Sequence, residues 1–157
     1  MEKFNNFKDA KAPKLNAKLT EDQKRACDKI LEFLNDPNPP TLAVGLCGAG
    51  GTGKTFLIKY ILELSGYANS VIGLAAPTHK AVRVLAQATG RKVNTIQSDL
   101  GLRLNVDVDN FDINNPPFDP LAEKKIQGYK LYVVDEASMI GRNLKILIER
   151  ECKAHGC

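Results

Sequence analysis

The segment Gly48-Ala49-Gly50-Gly51-Thr52-Gly53-Lys54-Thr55 constrains the fold of this 157-residue chain more than any other. It fits the pattern G-x-x-x-x-G-K-[ST]. Before it lies an apolar run, Thr41 to Leu46, that predicts a short buried strand; after it Phe56, Leu57, Tyr60, Ile61 and Leu64 recur at helical spacing. Strand, glycine loop and helix in that order predict a phosphate cradle. Glycines let backbone N–H groups turn inward around phosphate oxygens, and the helix beyond presents the positive end of its dipole. Lys54 then reaches the β- and γ-phosphates of ATP, and the Thr55 hydroxyl ligates Mg²⁺. A glycine-rich turn that merely joins strand to helix is the alternative, but chance matches to this pattern are expected in well under about 1% of chains this long.

The rest of the chain alternates strands and helices. Thr20, with Gln23 three residues on, predicts a helix start, and Ala26, Ile30, Leu31, Phe33 and Leu34 supply one apolar face over about 21 to 34. Asn35-Asp36-Pro37-Asn38-Pro39-Pro40 ends that helix, because proline lacks the N–H donor and biases its predecessor out of helical geometry. A second strand is expected at Val71 to Ala76, a Pro77-Thr78 junction next, and a helix over 79 to 88 with Ala81, Val82, Leu85 and Ala86 inward. Tyr129 to Val134 restores a strand and Leu144 to Ile148 a helix. The expected fold is therefore α/β, a parallel sheet flanked by helices. Residues 101–128, acidic and rich in Asn and Pro, read as a small insertion on it.

Asp135 and Glu136 stand just past the carboxyl end of the last predicted strand, where open parallel sheets collect ligands. Alone, such a pair is as well explained by a solvated turn. Beside a phosphate loop it reads as catalytic: Asp135 holds Mg²⁺, and Glu136 polarises the attacking water.

Composition excludes some classes and leaves others open. The chain has 43% hydrophobic and 25% charged residues, and no apolar stretch approaches the roughly 18 residues of a membrane span. A net charge of +4, from 22 basic and 18 acidic side chains, permits a polyanionic partner without demanding one. Residues 1–18 carry Lys3, Lys8, Lys11, Lys14 and Lys18 and read as a loose basic arm. Cys27, Cys47, Cys152 and Cys157 accompany no secretory signal, which points to a reducing cytoplasm. Cys152, His155 and Cys157 would offer a metal knuckle three ligands where a closed zinc site needs four, so a helix end is the expected reading.

With three further segments, these residues resemble the Dda-type and RecD-like DNA helicases of superfamily 1, the branch that moves 5′ to 3′ on single-stranded DNA. The resemblance covers about residues 19–150 and implies a first RecA-like, phosphate-loop ATP-binding domain over 19–157. Leu19-Thr20-Glu21-Asp22-Gln23 is similar to the family's adenine-reading segment, which implies that the Gln23 amide contacts the base; a capping box at the same residues is the competing reading. Leu74 to Val82 is similar to a segment that grips the backbone of single-stranded DNA, which places Pro77, Thr78, His79 and Lys80 against phosphates. Thr95-Ile96-Gln97-Ser98 resembles the family's Thr-Ile-His-Ser, with Gln97 where histidine is usual. Gln97 still donates and accepts hydrogen bonds but takes no positive charge. Thr95, Gln97 and Ser98 are thus the remaining implied DNA contacts, against a plain strand-to-turn reading. Asp135-Glu136-Ala137-Ser138-Met139 matches the family's carboxylate motif.

The family carries a β-hairpin pin in the interval that is Gly101 to Gly128 here. Leu102, Leu104, Val106 and Val108 alternate as a hairpin strand would, with Phe111 or Phe118 as an aromatic tip; a solvated loop is equally open. The family pattern continues into a Gly-Asp-x-x-Gln sensor strand and a second RecA-like domain bearing arginines that touch the γ-phosphate, none of which occurs in these residues. The expectation is thus a truncated or split helicase portion that binds nucleotide better than it hydrolyses it, its sheet incomplete unless a separate chain supplies the rest. A non-catalytic, nucleotide-dependent DNA- or protein-binding regulator is the alternative. A small phosphate-loop kinase fits less well, because no cluster of lid arginines follows the loop.

Overall fold

A computed structural model describes residues 18–108 and 110–157. The basic arm up to residue 17, with Lys3, Lys8, Lys11 and Lys14, lies outside the described residues, as does Asp109. The chain divides into two compact units, residues 1–66 and 67–157.

In the first unit, α1 (Glu21–Asn35) begins at the anticipated cap. Thr20 accepts a hydrogen bond from the Gln23 backbone, and the Gln23 side chain accepts one from the Thr20 backbone, which closes a capping box. The helix stops at Asp36, whose extended backbone precedes Pro37. α2 (Lys54–Leu64) follows the glycine loop. Cys27 of α1 and Leu57 and Ile61 of α2 form the buried centre of this unit, with Ile30, Leu31 and Tyr60 packed around it.

The strand expected at Thr41 to Leu46 is absent: the segment is irregular, with Leu42 44% and Val44 46% exposed. A strand exists only through ladder bonds to a neighbour. Among the described residues no strand pairs with these, and the Thr41 hydroxyl instead closes a local bond to the Ala43 carbonyl at 2.9 Å.

The second unit holds the sheet. β1 (Ile72–Ala76) is central and fully buried, flanked by β2 (Asn94–Thr95) and β3 (Leu131–Val134), both parallel to it, in the order β2-β1-β3. Burial of both faces explains why β1 reads as an unbroken apolar run. α3 (His79–Thr89) packs along β1 and β2 and buries Ala81, Leu85 and Thr89. The short α4 (Ile96–Leu100) and the longer α5 (Arg142–His155) supply Ile96, Leu100, Leu144 and Leu147 to a core that includes Ala75 and Ile126. This is the expected parallel sheet flanked by helices, in partial form.

Gly73 is required by space. Its strand partner is Tyr132, and a β-carbon there would run into the rings of Tyr129 and Tyr132, which stack with centroids 5.8 Å apart.

The insertion forms one antiparallel bridge, Leu102 with Phe118, braced by Arg103 N–H to the Pro117 carbonyl at 3.0 Å and Asp119 N–H to the Gly101 carbonyl at 2.8 Å. The rest of its described residues are turns, irregular segments and a short 3₁₀ helix, Lys125–Gly128. Neither phenylalanine forms a tip. Phe111 is buried in the core, and Phe118 lies under the Lys124 ammonium, 3.4 Å from the ring centre. Apolar burial outweighs exposure for both rings, while Leu104 is left 91% exposed beside Asn105, which has positive φ.

Candidate functional site

The phosphate loop is built inside the first unit. Gly51 and Gly53 have φ of +75° and +82°, a region open to glycine, and Gly53 caps the start of α2 without any side-chain bond to it. No acidic residue occupies the first turn of α2, so its N–H groups and positive dipole end carry no anionic side chain of that turn. The Lys54 ammonium is folded back into the loop, donating to the carbonyls of Gly48 at 2.7 Å and Ala49 at 2.8 Å. Thr52 Oγ1 donates to the same Ala49 carbonyl at 2.8 Å and sits where a β-carbon on Gly48 would approach to 3.0 Å. The half-buried Thr55 follows on the first turn of α2.

Gln23 takes part in this loop. Its side-chain oxygen accepts from Thr20 N–H at 3.0 Å, while its Nε2 donates to the Thr52 carbonyl at 3.0 Å. A β-carbon on Gly53 would lie 2.7 Å from that nitrogen. The capping-box geometry is thus realised, and the same amide ties the start of α1 to the glycine loop.

In the second unit, the other candidate segments share one end of the sheet. β1, β2 and β3 are parallel, with Ala76 opposite Thr95 and Ala75 opposite Val134. Pro77 to Lys80, Thr95 to Ser98, and Asp135 with Glu136 therefore all leave from carboxyl ends of adjacent strands.

Each local conformation has its own cause. Thr78 caps α3 by accepting from Ala81 N–H at 3.2 Å, leaving His79 and Lys80 exposed on its first turn. Thr95 caps α4 through Ser98 N–H at 3.2 Å, and the Ser98 hydroxyl accepts from Lys125 at 2.9 Å. Gln97 is half-buried. Asp135 extends the β3 ladder by donating its N–H to the Ala75 carbonyl at 2.9 Å, and its carboxylate accepts from Glu136 N–H at 2.9 Å. Glu136 is exposed and held at φ +52°, an uncommon conformation for a non-glycine residue. The phosphate loop and the carboxylate pair belong to different compact units.

Asp99, which is not among the residues singled out from the sequence, is fully buried. Its Oδ1 accepts from Asn94 Nδ2 at 2.8 Å and lies 3.5 Å from the Tyr129 hydroxyl. Desolvation raises its carboxyl above the usual range, against the opposing pull of the Asn94 bond, and burial pushes the Tyr132 phenol up beside it. The available signal was its position between Ile96 and Leu100, a helical apolar pair.

The family description "AAA domain" matches residues 18–155. The chain belongs to the AAA domain family. It is 33% identical over 132 residues to the ATP-dependent DNA helicase dda of Enterobacteria phage T4, covering 83% of this chain and 28% of that protein. It is 35% identical over 103 residues to the ATP-dependent RecD2 DNA helicase of Deinococcus radiodurans, covering 66% of this chain and 13% of that protein. The chain thus spans well under half the length of both curated relatives, and these likenesses make it a RecA-like domain of the superfamily 1 helicase type. No solved structure matches it significantly.

Thr55 in the first unit and Asp135 in the second each carry an oxygen donor of the kind hard divalent cations take. Among the described residues no group of three or more His, Cys, Asp or Glu is placed to hold a metal ion. Mg²⁺ is typically bound through one or two protein oxygens together with substrate phosphates and water. Cys152, His155 and Cys157 form no such group: the His155 ring lies 3.8 Å from the Glu151 carboxylate in the last turns of α5. No helix among the described residues is long and apolar enough to cross a membrane.

Proposed function

We propose that this chain is the ATP-binding N-terminal portion of a 5′-to-3′ DNA helicase, working in the cytoplasm on single-stranded DNA. The observation that carries the reading is the Lys54 ammonium held by the Gly48 and Ala49 carbonyls at the head of α2. A cation and a row of free N–H groups there match a polyphosphate in charge and geometry.

In this reading Lys54 exchanges its two carbonyl partners for phosphate oxygens. Thr55 and Asp135 hold Mg²⁺, which when bound neutralises charge on the transferred phosphoryl group. Glu136 accepts the proton of the attacking water. Gln23 reads the adenine edge by releasing the Thr52 carbonyl. Pro77, Thr78, His79 and Lys80, with Thr95, Gln97 and Ser98, contact the DNA backbone at the carboxyl ends of β1 and β2. A second RecA-like domain, on this or another chain, completes the machine and supplies its arginines.

Labelled oligothymidylate titrated by fluorescence anisotropy tests the DNA half of the reading. Lys80→Ala should weaken binding uniformly across sequences and lower the slope of log affinity against log salt by about 1. Unchanged affinity and slope in Lys80→Ala would remove the segment from the DNA path.

A further inference from the structure

α5 ends in a Schellman-type closure. Gly156 adopts φ +68°, and Cys157 N–H donates back to the Cys152 carbonyl at 3.0 Å. This closure brings the side chains three positions inside and two positions beyond the helix end into contact, a place where two apolar residues commonly meet. Here both are cysteines. Cys152 is buried in the core with Leu144 and Leu147, Cys157 packs half-buried against the same cluster, and both thiols are free.

We propose that Cys152 and Cys157 form a reversible dithiol–disulfide site at the end of α5 that reacts with peroxide-class oxidants. The roles of the two thiols follow from their surroundings. The neighbouring Cys152 thiol, helped by the Lys130 ammonium, lowers the Cys157 pKa against the opposing effect of burial. Cys152 is raised by its Cys157 neighbour and by burial. Cys157, the more exposed, is the attacking thiolate and Cys152 the resolving thiol.

The chemistry balances without a cofactor. The Cys157 sulfur attacks one peroxide oxygen, the O–O bond breaks, and the departing hydroxide takes up the thiol's proton as water. The Cys152 sulfur then attacks the sulfenic sulfur, the S–O bond breaks, and a second water leaves with the Cys152 proton. Two thiols and one peroxide give one disulfide and two waters, and a dithiol reductant reverses the change.

Hydrogen peroxide applied to the full chain, with and without urea, tests this. Trypsin separates Glu151-Cys152-Lys153 from Ala154-His155-Gly156-Cys157, so a disulfide joins two short peptides in a mass spectrum. The expected result is an intact mass lower by two hydrogens, these peptides linked, reversal by dithiothreitol, and formation about tenfold or more faster in the folded chain than in urea. Gly156→Ala, which strains the closure, should slow the folded-state rate toward the urea value. A folded rate no greater than that in urea would overturn the proposal. So would accumulation of a Cys157 sulfinate, or a link between two chains in its place.

Discussion

The Gln23 amide serves two structures at once, closing the cap of α1 with its oxygen and holding the Thr52 carbonyl with its nitrogen. Glutamate at this position keeps the acceptor and loses the donor. Gln23→Glu should therefore leave α1 near its original stability while weakening Mg-ATP binding, whereas Gln23→Ala should also cost about 0.5–2 kcal/mol in urea unfolding. Equal effects from both substitutions would mean that the cap contributes nothing, and unchanged Mg-ATP affinity in Gln23→Glu would mean that the Thr52 tether is irrelevant. Asp99 gives a pH signature. Its folded pKa is raised, so between the unfolded and folded values the native state binds more protons than the unfolded state, and stability falls as pH rises through that interval. Thermal melts should show the original protein losing stability relative to Asp99→Asn from about pH 4 upward until the folded pKa is passed; parallel curves would contradict the buried, neutral-favouring site. The catalytic candidates were legible because phosphate chemistry demands particular residues at fixed spacing. Asp99 was not, because a single acid reads as solvated until Asn94 and the tyrosines are seen around it.

Among the elements, those whose pattern carries its own cause were legible. α1 has its capping box and proline stop, β1 its unbroken apolar run, and α3 its threonine cap. Thr41 to Leu46 has the same apolar character as β1 but no ladder partner, and pairing is not a local property. Amide hydrogen exchange should accordingly be fast at Leu42 to Val44 and slow at Leu74 and Ala75; comparable protection would show that the segment is paired after all. β2 was legible only as the open strand-to-turn reading at Thr95 to Ser98, and α4 not at all, because a two-residue strand and a five-residue helix fall below the length at which periodicity is readable. Gly73→Ala probes the packing of β1 against β3. Collision with the Tyr129 and Tyr132 rings should destabilise the second unit by about 1–3 kcal/mol in denaturant unfolding, and a neutral result would show that the two rings can shift aside.

For the molecule as a whole, the parallel sheet organises the candidate chemistry. Three adjacent strands of the second unit deliver Thr78, Thr95 and Asp135 to the same end, and within the first unit the glycine loop carries Lys54 and Thr55. The proposed metal, adenine and DNA roles all rest on the loop binding a nucleotide. Isothermal titration of the folded chain with Mg²⁺ and a non-hydrolysable ATP analogue tests that directly, with Lys54→Ala as the comparison and circular dichroism as the check on folding. Loss of the lysine's charged hydrogen bonds should weaken binding about 10- to 100-fold. Equal affinity in a folded Lys54→Ala protein would contradict the phosphate-loop account.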